Sequence, residues 1–410
     1  MKFSKCLLSL ATAGILSTTA SATELEVTHW WTSGGEAAAV KELAKLFDQS
    51  GHKWVDGAIA GSASVARPVI ISRIVGGDPM ATTQLNHGKQ AQELIEEGML
   101  LDLTDVAEAN DWANKVVPQS LLDACTYEGR IYCAPVNIHS WQWMWLSNKA
   151  YADAGVAVPT NWDEFVAAAP ALEKAGKVPL AMGQQGWQAS GAFGVLMAAL
   201  AGRDIYNQVL GDHDADLAAG PEMAKVFKAA DDARKLAVNS KVQDWNLATA
   251  MVINGEAGGQ IMGDWAQGEF QVAGQEVGED YTCLPGLGVN EVIATGGDAF
   301  YFPVLDSEEK TKAQKELAQM IVSPEAQLAF NLKKGSLPVR GDVDLKSANE
   351  CMAKGLQILA NGNTISSMEM LIDPDTLSQI EELSIEFFND PSMTAETAQA
   401  RFVELIEDAE

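Results

Sequence analysis

His29-Trp30-Trp31-Thr32-Ser33-Gly34-Gly35-Glu36 joins two segments of different periodicity, and its reading decides the fold. Before it, Leu25-Glu26-Val27-Thr28-His29-Trp30 alternates like a strand. After it, Val40, Leu43, Leu46 and Phe47 share one face of a helix that begins near Glu36. The eight residues are therefore a strand-to-helix turn. Its two glycines let backbone N–H groups approach a guest, and the helix N-terminus behind them favours oxygen acceptors. Two adjacent indoles add apolar faces. A polyhydroxyl ring suits such a turn, its C–H side on an indole and its hydroxyls on the rim. Ser33 and Glu36 also fit the S-x-x-E capping box, so Glu36 reads equally as a helix cap and as a ligand contact. Successive strand residues face opposite ways, so one indole is expected in the core and the other on a cleft.

Working outward, strand, turn and helix repeat. His52 to Ala60 reads as a strand, Arg67 to Val75 as a helix ended by Gly76-Gly77-Asp78-Pro79, and Met80 to Leu85 as a third strand. The turn Asn86-His87-Gly88-Lys89 follows, then a helix from Gln90 to Glu97 with Gly98 as its stop. This is the rhythm of a doubly wound α/β domain, whose ligands bind outside the carboxyl ends of the strands. Asn86 and His87 are thus expected on the same rim as Trp30 and Trp31, although a lone histidine after a strand also reads as a plain loop residue. A long polar helical region is expected from Leu101 to just before Cys125. In the strand Ile138 to Leu146, His139, Trp141, Trp143 and Trp145 share one face by period two. Such a stripe is usually core, and its end nearest Pro135, His139 with Trp141, is the part expected to reach a cleft. From Asn148 the chain becomes helix-rich. Thr160 is the expected cap of one helix, Trp187 sits in a polar loop, and Asp264-Trp265 stands at the exit of a strand begun by Ala257. A strand pattern returns at Gly296 to Pro303, with Asp298 at its start. Helices follow from Ser307 to Val322 and from Pro324 to Lys333, and the rest is helical and acidic.

The chain has 410 residues and a formal charge of −28. Its basic start, the apolar run Cys6 to Leu16 and the A-x-A ending at Ala22 read as a secretory signal. Without residues 1–22 there remain 26 basic against 56 acidic residues, a formal charge of −30. That excess argues against nucleic acid, which needs clustered Lys and Arg, and favours a soluble monomer. Two domains are expected at this length. Cys125, Cys133, Cys283 and Cys351 form an even set in an exported chain, which suggests disulfides. Cys125 and Cys133 flank a hairpin with Glu128-Gly129 at its turn, leaving Cys283 to Cys351. With no C-x-x-C pair and scattered histidines, neither a metal nor a cofactor is expected.

Four ordered segments carry a resemblance: the double-tryptophan turn, Gly263-Asp264-Trp265-Ala266-Gln267-Gly268-Glu269, Gly297-Asp298-Ala299-Phe300, and Lys334-Gly335-Ser336-Leu337-Pro338-Val339-Arg340. Together they resemble the bacterial periplasmic glucose/mannose-binding proteins, the extracellular solute-binding components of ABC sugar importers. The resemblance implies a two-lobed α/β periplasmic-binding-protein fold, crossed several times by the chain, with one monosaccharide in the cleft. The expected division is residues 1–22 as signal, 23–136 plus 289–340 as N-terminal lobe, and 137–288 plus 341–410 as helix-rich C-terminal lobe. It also implies a site of Trp30, Trp31, Glu36, Asn86, His87, Asp264 or Trp265, Asp298 and Lys334, to which the strand reading adds His139. Ionised Glu36 and Asp298 would accept hydrogen bonds from sugar hydroxyls while Lys334 and His87 donate. The function implied is a non-catalytic periplasmic receptor for a glucose-like monosaccharide, docking on an ABC permease of the inner membrane driven by a cytoplasmic ATPase. The rival class is a secreted carbohydrate-active enzyme using paired carboxylates. No G-x-S-x-G or H-E-x-x-H motif accompanies it.

Overall fold

Leu25 and Val27, both without solvent exposure, alternate with Glu26 along the first strand and set its inner face. The computed structural model describes residues 22–409, so the expected signal lies outside the described residues except for Ala22. The strands in chain order are β1 (Glu24–His29), β2 (Lys53–Ala58), β3 (Thr82–Asn86), the hairpin β4 (Thr126–Tyr127) and β5 (Arg130–Ile131), β6 (Cys133–Pro135) and β7 (Trp143–Ser147). They continue as β8 (Val178–Leu180), β9 (Ala257–Ile261), β10 (Tyr281–Pro285), β11 (Ile293–Ala294), β12 (Asp298–Tyr301) and β13 (Thr364–Ile365). One sheet has the order β2-β1-β3-β12-β6, the other β10-β7-β9-β8. In the first, β1 runs parallel to β2 and β3, the pairing that strand-helix-strand connections produce, while β12 is antiparallel to β3 and β6. Helix α1 (Gly34–Gln49) buries Ala39, Val40, Leu43 and Phe47, and α2 (Ala63–Val75) follows β2.

Buried apolar residues form large clusters, the first of which takes in residues of both sheets, Leu25 and Phe300 of one and Trp143, Trp145 and Tyr281 of the other. Trp31, Phe47, Trp54, Phe300 and Phe330 belong to one core, and Phe165, Phe193, Phe227, Phe387 and Phe402 to another. The architecture is a two-lobed α/β fold with a ligand cleft between the lobes. Between the two sheets the chain crosses over residues 136–142 and 286–297, and residues 336–340 run beside the first of these. These segments are bonded to one another: Ile138 and Leu337 exchange both backbone hydrogen bonds, and the His139 N–H donates to the Gly296 carbonyl at 3.1 Å. Gly297 permits the approach, since a Cβ there would lie 2.1 Å from the Asn137 carbonyl oxygen. Among the described residues no helix is long and apolar enough to cross a membrane.

Several local expectations change. The polar region before Cys125 is three short helices, Thr104–Ala109, Trp112–Lys115 and Gln119–Asp123. Asp111 at φ 56° interrupts the first join, and Pro118, which has no N–H to donate, precedes the third. The strand expected from Ile138 is shorter as well. The Trp143 N–H donates to the Trp141 carbonyl at 2.6 Å, so the chain turns there and β7 begins only at Trp143. Trp143 and Trp145 stack in the core at 5.8 Å, whereas Trp141 leaves for the cleft. Asn161, not Thr160, caps the helix Trp162–Lys174, because its Oδ1 reaches the Glu164 N–H at 3.0 Å. Trp187 lies on the first turn of the helix Gly186–Leu200 and is half-buried.

The hairpin turn at Glu128-Gly129 has φ 48° and 77°, the left-handed pair of a two-residue hairpin, and Cys125 and Cys133 are joined across it with Cα atoms 5.0 Å apart. Cys283 on β10 is joined to Cys351 on the helix Glu350–Ala360.

Candidate functional site

The strand-to-helix turn after β1 brings its two indoles to different places. Trp31 is 1 % exposed, edge-on to Phe300 at 5.6 Å and tilted on Phe330 at 5.1 Å, and only its rim reaches the cleft. Trp30 is half-buried, faces the cleft, and is held by its N–H to Gln84 Oε1 at 3.1 Å. The capping box forms: Ser33 Oγ accepts from the Glu36 N–H, and Glu36 Oε2 from the Ser33 N–H, each at 3.4 Å. The other carboxylate oxygen, Glu36 Oε1, meets Lys334 Nζ at 2.8 Å, so Glu36 serves cap and cleft together. Of the N–H groups expected to face a guest at this turn, those of Ser33, Gly35 and Glu36 are already engaged. Gly35 already donates to Glu269 Oε1 at 2.7 Å, and Ala37 to the Ser33 carbonyl.

A cavity of about 560 Å³ lies between the two rims, within the usual range of small-molecule sites. Lys334, last residue of the helix Pro324–Lys334, is 2 % exposed, with its ammonium 5.7 Å from the Trp31 ring centre and 6.0 Å from that of Trp265. Both positions favour the cation over an indole face. Asp298 opens β12 directly opposite Asn86 of β3. Its carboxylate accepts from Gln84 Nε2 at 2.7 Å, Asn137 Nδ2 at 3.0 Å and His139 Nδ1 at 3.0 Å. Burial works against that charge, yet the neighbouring His139 and Lys334 and the Gln84 bond hold Asp298 well below the usual carboxylate range. His139 moves the other way: burial opposes its proton, but Asp298 outweighs it and raises the imidazole above its ordinary value. Trp141 and Trp265 meet edge-on at 4.9 Å, and Trp187 meets Trp141 at 5.6 Å, forming an aromatic wall across from Trp30.

Of the expected residues, Trp30, Trp31, Glu36, Asn86, His139, Trp265, Asp298 and Lys334 line this one cavity. His87 and Asp264 stand behind its wall. Burial holds His87 neutral down to about 4, and both its ring nitrogens lack a hydrogen-bond partner. Its ring approaches Cys125 and Cys133, but sulfurs joined in a disulfide are not thiolate ligands for a metal. Asp264 accepts from the Ser140 N–H at 2.9 Å, and burial pushes its carboxyl up to about 7 against the charges of His139 and Lys334. It braces the 140 and 264 segments beneath Trp265. Sequence reading missed Trp245, Arg67, Glu369 and Glu381, which also line the cavity. Trp187 carried a usable signal, an indole just after a strand and two glycines. Glu369 and Glu381 had none, being acids in an acidic helical tail.

Two lobes with a polar, indole-walled cavity between them make a site shaped to enclose a small polar molecule. The chain belongs to the bacterial extracellular solute-binding protein family, which it matches over residues 31–328. It is 38% identical over 343 residues to a probable sugar-binding periplasmic protein of Brucella melitensis biotype 1, covering 83% of this chain and 80% of that protein. A probable sugar-binding periplasmic protein of Rhizobium meliloti is likewise 38% identical, over 347 residues, 84% of this chain and 83% of its own. Among solved structures, a chitin oligosaccharide binding protein superposes with TM-score 0.76 at 20% identity, covering 95% of this chain and 99% of that one.

Proposed function

We propose that this chain is a periplasmic receptor that captures a hexose, glucose or mannose, and delivers it to an ABC permease driven by a cytoplasmic ATPase. The observation that carries the reading is a pairing of opposites in one cavity. Lys334–Glu36 and His139–Asp298, both buried ion pairs, face it beside the half-exposed Trp30. A sugar ring needs both: hydroxyls that donate and accept, and an apolar C–H face. The names of the two relatives above, both probable sugar-binding periplasmic proteins, support the ligand class and the compartment. Trp30, Glu36, Asn86, His139, Trp265, Asp298 and Lys334 are the proposed contacts, with Trp31, His87 and Asp264 supporting them from behind. The lobes are residues 23–136 with 289–340, and 137–288 with 341–410. Sugar touching both lobes favours the closed arrangement, and the closed monomer is the form the permease receives.

Titration calorimetry against hexoses and pentoses tests this. At least one hexose should bind and be recovered unchanged, and Asp298→Asn should weaken it by about 1.5–3 kcal/mol, the range for a hydrogen bond to a charged group. No heat with any sugar overturns the reading, and a converted sugar selects the secreted-enzyme alternative instead.

A further inference from the structure

Gly88 follows Asn86 and His87 on the rim after β3, and there it meets the other lobe backbone to backbone. A Cβ on Gly88 would overlap the Glu369 carbonyl oxygen and lie 3.4 Å from the Met370 Cα. Its φ of 118° and ψ of −153° fall in a region open essentially to glycine alone. Both facts call for glycine. Glu369 and Met370 belong to the helix Met368–Leu371, whose Met368 and Leu371 pack against the core that holds Phe193 and Phe227. Ser367 and Glu369 on one side of the contact line the sugar cavity, as do Asn86 and Gln90 on the other. Both sides also spring from one crossing. The His87 N–H donates to the Gly297 carbonyl at 2.9 Å, and the Thr295 N–H to the Ile365 carbonyl at 2.8 Å. Hydrogen-bonded crossings can twist without parting. Gly88 differs: among the described residues no backbone hydrogen bond joins it to Glu369 or Met370. The contact between Gly35 and Gly268, another place where the lobes meet at a glycine, is by contrast bonded through Glu269.

We infer that Gly88 and the helix Met368–Leu371 form a closing stop: two backbones of opposite lobes that touch when the cleft encloses a sugar, part when it opens, and fix how near Trp30 and Asn86 come to the facing wall. The inference rests on the receptor reading and on its division into lobes. A stop has to be rigid, and backbone against backbone is, because neither side has a side chain that can swing aside. It also has to break, and a touch held by dispersion alone separates at little cost. Its place gives it leverage. Lying beside the crossing at residues 295–297, it turns a small added thickness into a larger gap at the far side of the cleft, as a wedge beside a hinge does. A hexose gripped from both lobes then loses contacts to one of them, and the closed form loses the differential affinity that populates it.

Stopped-flow fluorescence and calorimetry with glucose and mannose read the stop directly. Gly88→Ala should release bound hexose about tenfold faster than wild type and take it up at a similar rate, because sugar enters the open form, where the added methyl meets nothing. Strain at φ 118° burdens open and closed forms alike, so it lowers the melting temperature without entering the affinity. A second variant carries the test should Gly88→Ala fold poorly: Lys89→Cys with Met370→Cys, one residue at the contact on each lobe. Cys125, Cys133, Cys283 and Cys351 are paired, so a short bis-maleimide reacts with the new thiols, and saturating hexose should speed their cross-linking several-fold. An unchanged release rate in folded Gly88→Ala, or cross-linking indifferent to hexose, overturns the stop and leaves the receptor standing. No hexose binding to wild type overturns the receptor reading and the stop with it.

Discussion

Trp30 and Trp31 are neighbours whose surroundings divide their work. Trp31 fills core volume between Phe300 and Phe330, so Trp31→Ala should cost about 3–5 kcal/mol of stability, the range for truncating a packed aromatic. Trp30 is held by its backbone N–H, packs one side against the core and presents part of its ring to the cavity. Trp30→Ala should keep its unfolding midpoint close to wild type and weaken sugar binding by about 2–4 kcal/mol. Denaturant unfolding and calorimetry on the two variants give the contrast, and wild-type sugar affinity in Trp30→Ala would move the stacking surface to Trp187 or Trp265. The charged residues do not separate so cleanly. Truncating Lys334 would leave Glu36 buried without its partner, so the loss would fall on the fold as well as on the ligand.

Between elements, the decisive contact is α1 against the helix Ala266–Val272. Glu269 accepts from the Gly35 N–H at the amino end of α1, where a negative charge is favoured, and the backbones touch beside it. A Cβ on Gly35 would lie 2.6 Å from the Gly268 carbonyl carbon. Backbone cannot swing aside as a long side chain can. Gly35→Ala should therefore force the two helices apart and destabilise by about 1–3 kcal/mol, the usual range for overpacking, despite alanine's better helix propensity. A urea midpoint equal to or above that of wild type would show that the helices separate without cost.

At the scale of the whole chain, the two disulfides close loops of very different length. Cys125–Cys133 spans 8 residues and Cys283–Cys351 spans 68. The chain-entropy account makes the longer closure worth about 4 kcal/mol and the shorter about 2–3 kcal/mol. Replacing Cys283 and Cys351 together by alanine should thus lower stability more than replacing Cys125 and Cys133. Equilibrium unfolding of both double variants checks the order, and its reversal would place the effect in native packing around the hairpin rather than in the unfolded chain. Thiol alkylation of the non-reduced protein should find Cys125, Cys133, Cys283 and Cys351 unreactive.

What the sequence determined alone is what short-range physics governs. The β1 turn, the Ser33–Glu36 box, the hairpin at Glu128-Gly129 and the Gly335 stop, at φ 91°, follow from preferences acting within a few residues. The rim position of Asn86 and Trp30 was legible for the same reason, since parallel strands with short turns place their carboxyl ends together. The stripe from His139 to Trp145 divides as expected, His139 and Trp141 to the cleft and Trp143 and Trp145 to the core, but the strand starts only at Trp143 because a backbone hydrogen bond to the Trp141 carbonyl turns the chain there, which composition could not show. Only the tertiary structure decided that Lys334 pairs with Glu36, 298 residues away, and that Glu269 occupies the amino end of α1. It alone set Arg67 against Glu369 and Glu381 across the cavity. Such partners are chosen by burial, which makes an unpaired charge costly wherever in the chain its neighbour happens to lie.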